Sequence, residues 1–238
     1  MKSLKDLRVK IFADGADLET IKELYANDTV KGYTTNPTIL RKAGIQDYEW
    51  FAKQFIEYVP DLPISFEVFA DDFEDMERQA RLISSWGSNV YVKIPITNTK
   101  GQSSLPLVRR LSSQNIKINI TAIMDWDQVV VSCRALEGDT PAYISVFGGR
   151  IADTGRDPVS RINEILGRVY RYPNIEVIWA SPRELLNIFQ ADRIGCHIIT
   201  VGPDILAKLP LIGKDLEEYS LETVKMFRDD AMKSGFKL

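Results

Sequence analysis

Eight short runs rich in β-branched and other apolar residues recur along the chain: RVKIFA (8–13), VKGYTT (30–35), ISFEVF (64–69), VYVKIP (90–95), IKINIT (116–121), AYISVF (142–147), IEVIWA (175–180) and HIITVG (197–202). Runs of this length read as strands. Between them lie segments with helical periodicity and acidic first turns, among them 17–27, 73–87, 126–138 and 158–171. Strands that alternate with helices pair in parallel through helical crossovers, so the pattern specifies an α/β protein. Eight such units close into a (β/α)8 TIM barrel, and 238 residues match the roughly 250 that such a barrel needs. The expectation is a single barrel domain over 1–238. Beyond the eighth run, residues 215–236 read as a C-terminal amphipathic helix, placed to pack on the barrel or on a neighbouring subunit. The competing architecture, an open doubly wound sheet, requires a glycine fingerprint after its first strand. That stretch is FADGAD, with one glycine.

Bulk properties narrow the partners. Hydrophobic residues are 45% and charged residues 26% of the chain, enough apolar surface for a sizeable core. A net charge of −3 without a Lys/Arg block argues against nucleic acid as a partner. No run approaches the ~20 apolar residues of a membrane span, and the start MKSLKDLRVKIF carries too short an apolar segment for a signal peptide. A cytoplasmic location, with no membrane partner, is expected. Cys133 and Cys196 form no CxxC and read as buried, inert thiols, and His197, the one histidine, reads as structural. That count excludes a multi-histidine metal site, and no metal is expected.

Lys93 interrupts the apolar run VYVKIP. A buried lysine snorkels to water, pairs with a carboxylate or loses its proton, and in the last case it becomes an amine nucleophile able to form a Schiff base. In a barrel, reactive groups collect at the C-terminal ends of the strands. Asp14 ends the first run, Thr34, Thr35 and Asn36 the second, and Glu67 lies late in the third. Asn119 and Thr121 share a face of the fifth, Ser145 and Phe147 a face of the sixth, and Arg150, Ser181 and Arg183 follow the sixth and seventh. Taken singly, each has an ordinary reading as cap, turn or solvated surface. Yet strands drawn from apolar runs alone deliver all of them to one rim. With Lys93 facing the lumen, Val92 and Ile94 face the helices. Glu67 then suits proton delivery, helped by a water on Thr121, and Asp14 suits a base at a C4 hydroxyl. Asn36 and Asn119 suit substrate hydroxyls, while the two arginines, with Ser181, suit a phosphate.

These residues resemble the transaldolases, in particular the small bacterial transaldolase and fructose-6-phosphate aldolase group. The resemblance rests on KGYTTNPTIL (31–40), SFEVFADD (65–72), VYVKIPIT (90–97), INITAIM (118–124), ISVFGGRIADTG (144–155), WASPRE (179–184) and GCHIITVGPDIL (195–206). It implies a cofactor-free enzyme acting on sugar phosphates, with Lys93 as the Schiff-base residue. Asp14, Glu67 and Thr121 are implied as its catalytic partners, and Thr35, Asn36, Asn119, Ser145, Phe147, Arg150, Ser181 and Arg183 as substrate ligands. The family often assembles into rings through its C-terminal helix, which implies a homo-oligomer. Aldolase members carry tyrosine and glutamine where this chain has Phe147 and Glu67, the transaldolase pair. The alternatives are an aldolase that releases its three-carbon unit, and a silent barrel that binds a sugar phosphate. The usual SPFVGR reads SVFGGR here, Pro182 replaces a phenylalanine, and Ala152 replaces an acidic residue. The resemblance therefore specifies the lysine chemistry more closely than the sugars.

Overall fold

The computed structural model describes residues 4–236; residues 1–3 and 237–238 of the expected 1–238 domain lie outside the described residues. The strands are β1 (Lys10–Asp14), β2 (Tyr33–Thr34), β3 (Ile64–Glu67), β4 (Val90–Pro95), β5 (Ile118–Ile123), β6 (Ala142–Phe147), β7 (Ile175–Ala180) and β8 (Ile198–Val201). All pair in parallel and in chain order, and β8 pairs back onto β1, so the sheet is a closed barrel rather than an open one. The helices are α1 (Leu18–Ala26), α2 (Pro37–Lys42), α3 (Tyr48–Tyr58), α4 (Phe73–Ser84), α5 (Leu105–Ser112), α6 (Trp126–Ala135), α7 (Gly148–Asp153), α8 (Pro158–Val169), α9 (Leu186–Arg193), α10 (Pro203–Leu206) and α11 (Leu216–Ser234). Aspartates at 17, 47, 72, 125, 157 and 215 and Asn36 accept backbone N–H bonds at helix starts, satisfying donors that the first turn leaves unpaired.

Strand boundaries differ from the apolar runs for local reasons. β2 stops at TTNP because Pro37 has no N–H and Asn36 turns its side chain to Ile39 N (3.0 Å). The start of that run still joins the ladder, with Lys31 N donating to Ile11 O and Gly32 O accepting from Ala13 N. β3 ends at Glu67: Val68 N still donates to Lys93 O (3.0 Å), but the N–H groups after it, of Phe69 and Ala70, turn to Gln79 Oε1 (2.9 and 3.0 Å). β5 runs two residues past its expected end and shifts register between Ile120 and Ile123, with Ala122 left-handed at φ 63°. An irregularity of this kind re-aims neighbouring side chains.

The core has two layers. Val92 and Ile94 of β4, as expected, and Ile118, Ile120, Ile144, Val146 and Val177 are fully buried between barrel and helices. Inside the barrel, Phe12, Tyr91, Tyr143, Ile178 and Ile198 form a separate cluster. Tyr91 and Tyr143 stack at 4.0 Å, and Phe12 meets Tyr143 edge-on at 5.9 Å. Such aromatic pairs contribute about 0.5–1.5 kcal/mol beyond burial. Beneath them Lys10 Nζ bonds both oxygens of Glu176 at 2.7 and 2.6 Å. Together these groups fill the N-terminal half of the barrel.

Cys133 and Cys196 are buried, and burial pushes their thiols up to about 11 and about 12, which keeps them protonated. His197 Nδ1 accepts Val177 N–H (3.1 Å), joining β7 to the start of β8. Helix α11 occupies the expected 215–236 segment, yet none of its residues is buried, and Leu216, Leu221, Val224, Phe227 and Met232 are exposed. Among the described residues no helix is long and apolar enough to cross a membrane.

Candidate active site

A cavity of about 960 Å³ opens at the C-terminal end of the barrel. Lys93 lies on its floor, 6% exposed, placed there by the fourth position of β4. Its Nζ donates to the carbonyl of Thr35 (3.1 Å) and lies 3.1 Å from Glu67 Oε2. Glu67 and Lys93 are register partners on β3 and β4, so strand pairing itself brings amine and carboxylate together. Of the expected states of a buried lysine, pairing with a carboxylate is the one observed. Two buried charges so close each lose hydration, and pairing offsets part of that loss. The pair still fronts open space, because both residues line the cavity.

Asp14 ends β1 and also faces the cavity. Burial pushes its carboxyl above the usual range and Glu67 adds to this, while Lys93 and a hydrogen bond from Thr34 Oγ1 (2.9 Å) act in the opposite sense. A carboxylate with a raised pKa beside a lysine is suited to take and return a proton. Thr121 is 2% exposed and lines the cavity, and its Oγ1 has no hydrogen-bond partner among the described residues. Such a buried hydroxyl stays free for substrate or solvent.

Two expected substrate ligands sit elsewhere. Thr35 and Asn119 are fully buried, and neither lines the cavity. Thr35 holds Lys93 through its carbonyl and donates its hydroxyl to Ser65 O (3.2 Å). Asn119 donates to Ser65 Oγ (3.0 Å) and accepts from Ser145 Oγ (2.8 Å), so its amide is engaged beneath the floor. Both are supports for the lysine strand. Ser145 faces the cavity but donates its proton downward to that amide. Asn36 lines the cavity while its Oδ1 caps α2, which leaves its amide donors for a ligand.

Phe147, Arg150, Ser181 and Arg183 form the far wall. Arg150 stands 5.8 Å over the Phe147 ring. Arg183 is not free, since its Nε donates to Asp153 Oδ1 (3.0 Å) and its Nη2 to Asp153 Oδ2. Two glycines permit this wall. A Cβ at Gly149 would lie 1.6 Å from Ser181 O, and one at Gly148 2.4 Å from Trp179 Nε1. Ser181 itself is left-handed at φ 57°. The departure from SPFVGR at Gly148 thus has a physical partner: the indole of Trp179 occupies the space a larger residue would need.

The site also includes residues the sequence reading did not single out. Thr200 lines the cavity from β8, and Lys42 does so from α2. Thr200 was findable, being two residues from inward Ile198 on the same strand face. Tyr48 OH, donating to Glu67 O (3.1 Å), and Asp153 gave no such signal.

Fold and site together define a parallel (β/α)8 barrel carrying a buried lysine flanked by two carboxylates at its C-terminal mouth. The chain belongs to the transaldolase/fructose-6-phosphate aldolase family, whose model matches residues 11–238. It is 34% identical over 231 residues to a probable transaldolase of a Thermoanaerobacter species, covering 97% of this chain and all of the relative. It is 38% identical over 202 residues to a probable transaldolase of Streptococcus equi subsp. zooepidemicus, covering 84% and 90% of the two chains. The crystal structure of a 2,3-dimethylmalate lyase superposes with a TM-score of 0.57 at 11% identity, covering 98% of this chain and 86% of that one. That likeness concerns the fold alone.

Proposed function

We propose that the chain transfers a dihydroxyacetone unit from a ketose phosphate to an aldose phosphate through a Schiff base on Lys93. The observation that carries this reading is the buried Lys93 Nζ on the cavity floor, 3.1 Å from Glu67 and within the electrostatic reach of Asp14. Glu67 takes a proton from the ammonium, and the free amine attacks the C2 carbonyl to give a carbinolamine. Glu67, with solvent held on Thr121 Oγ1, returns a proton to the C2 hydroxyl, which leaves as water. Asp14 then accepts the C4 hydroxyl proton while the C3–C4 bonding pair moves into the iminium. An aldose departs and an enamine stays on Lys93. An acceptor aldehyde reverses the steps.

Arg150, Arg183 and Ser181 suit the phosphate of either sugar. A dianionic phosphate competes well for Arg183 because its pair with Asp153 is half-exposed, and such pairs are weak. Phe147 puts no hydroxyl near the enamine to help water attack, which favours transfer over release. Assembly belongs to the same reading: the exposed apolar residues of α11 are taken to be covered by a second copy of the chain, and light scattering that finds a monomer would remove that part.

Borohydride added with fructose 6-phosphate should leave a reduced three-carbon adduct on Lys93, seen by peptide mass spectrometry and absent in Lys93→Ala. A wild-type protein that gains no adduct would end the proposal. Turnover that requires an aldehyde acceptor marks the transferase, and turnover without one marks an aldolase.

A further inference from the structure

Among the cavity-lining hydroxyls to which the steps above give no role are Thr34 of β2 and Thr200 of β8. Their strands flank β1 on either side, and both residues are buried, at 2% and 5% exposure. Thr34 Oγ1 donates to Asp14 Oδ1 at 2.9 Å and lies 2.6 Å from Thr200 Oγ1. A hydroxyl has one proton to give. Thr34 spends its proton on Asp14, so the short contact requires Thr200 to be the donor. The result is a chain of fixed direction, Thr200 to Thr34 to Asp14, in which each donor polarises the next.

The charged groups facing Asp14 are Lys93 of β4, which favours its ionised form, and Glu67 of β3, which opposes it. Burial opposes it too. We propose that Thr200 is a positioning residue for Asp14: through Thr34 its hydroxyl pins Oδ1 against the strand wall, leaves Oδ2 for the substrate, and sustains the carboxylate that must take the C4 proton. This rests on the reading of Asp14 as the base in the proposed reaction.

A bland role also suits Thr200, as a β-branched residue that fills space on β8. Two substitutions separate the roles. Thr200→Val keeps the shape and removes the hydroxyl, and Thr200→Ser keeps the hydroxyl and removes a methyl. With fructose 6-phosphate and an aldose phosphate acceptor, Thr200→Val should form the full borohydride adduct on Lys93. It should lose about threefold to tenfold in kcat, the scale of one lost hydrogen bond. Its acidic limb in kcat/KM should move to higher pH, because a carboxylate short of donor support holds its proton more tightly. Thr200→Ser should restore both. Asp14→Asn serves as the reference and should trap the adduct without cleaving the C3–C4 bond. An Asp14→Asn protein that still cleaves would overturn the base assignment itself. With that variant inactive, the relay alone is overturned by a Thr200→Val protein of wild-type kcat and pH limb, or by a Thr200→Ser protein as impaired as Thr200→Val.

Discussion

Each end of this barrel holds a lysine paired with a glutamate, and the two pairs differ in everything except their chemistry. At the N-terminal end, Lys10 meets both oxygens of Glu176 at 2.6–2.7 Å, with 40% and 32% of the side chains exposed and packed aromatic rings above. At the C-terminal end, Lys93 meets one oxygen of Glu67 at 3.1 Å, with 8% and 17% exposed, a cavity in front and Asp14 nearby. The first pair is saturated, and solvent shares its charge. The second is desolvated, an ion pair at 3.1 Å outnumbered by carboxylates, so a proton there has more than one place to go. Reactivity thus follows from what surrounds a Lys–Glu contact rather than from the contact.

Removing each amine in turn gives the widest separation between the two ends. Lys93→Met should lose the borohydride adduct and turnover to the detection limit, whereas Lys10→Met should keep both; an adduct surviving in Lys93→Met would erase the distinction. Next come the carboxylates of the upper site. Glu67→Gln and Asp14→Asn should each lower kcat by roughly 10²–10⁴, against little change for Glu176→Gln in the same steady-state assay.

Stability should respond in the opposite order at the upper site. Because burial raises the Asp14 pKa, the folded chain holds that proton more tightly than the unfolded chain does. The stability this contributes is fully present below the ordinary carboxylate pKa and is lost as pH rises through the folded value, so at pH 7, above the ordinary value, the buried carboxyl is a cost. Calorimetry should therefore find Asp14→Asn more heat-stable than wild type at pH 7, by about 2–4 °C, with the gain fading near pH 4. A lower Tm at pH 7 would contradict the direction. The smallest effect is expected for Lys10→Met, about 1 kcal/mol or less by urea unfolding, as befits a half-exposed pair.

How far these features could be read in the residues varied with their range. The eight strands followed from local apolar spacing, because that depends on one segment at a time; the inward phase of Lys93 was set as a condition, and the burial of Val92 and Ile94 against the helices agrees with it. The roles of Thr35 and Asn119 did not, since which rim residue faces the cavity depends on where its strand ends and on the register of its neighbours. Ala122 gives no turn signal in sequence, yet its left-handed backbone accompanies the register shift beside Thr121. The pairing of Asp153 with Arg183 spans 30 residues and depends on α7 approaching the segment after β7 where glycine alone fits. Burial of Lys93 was legible in VYVKIP; its carboxylate partner was fixed by cross-strand pairing.

That pairing has a consequence for descent. The distance from Lys93 to Glu67 is written into the backbone ladder of β3 and β4, whereas Arg150 and Arg183 hang on segments that follow β6 and β7. The departures at Gly148, Ala152 and Pro182 all fall in those later segments. A lineage built this way can exchange one sugar for another by revising its rim, while the reaction is inherited intact with the ladder.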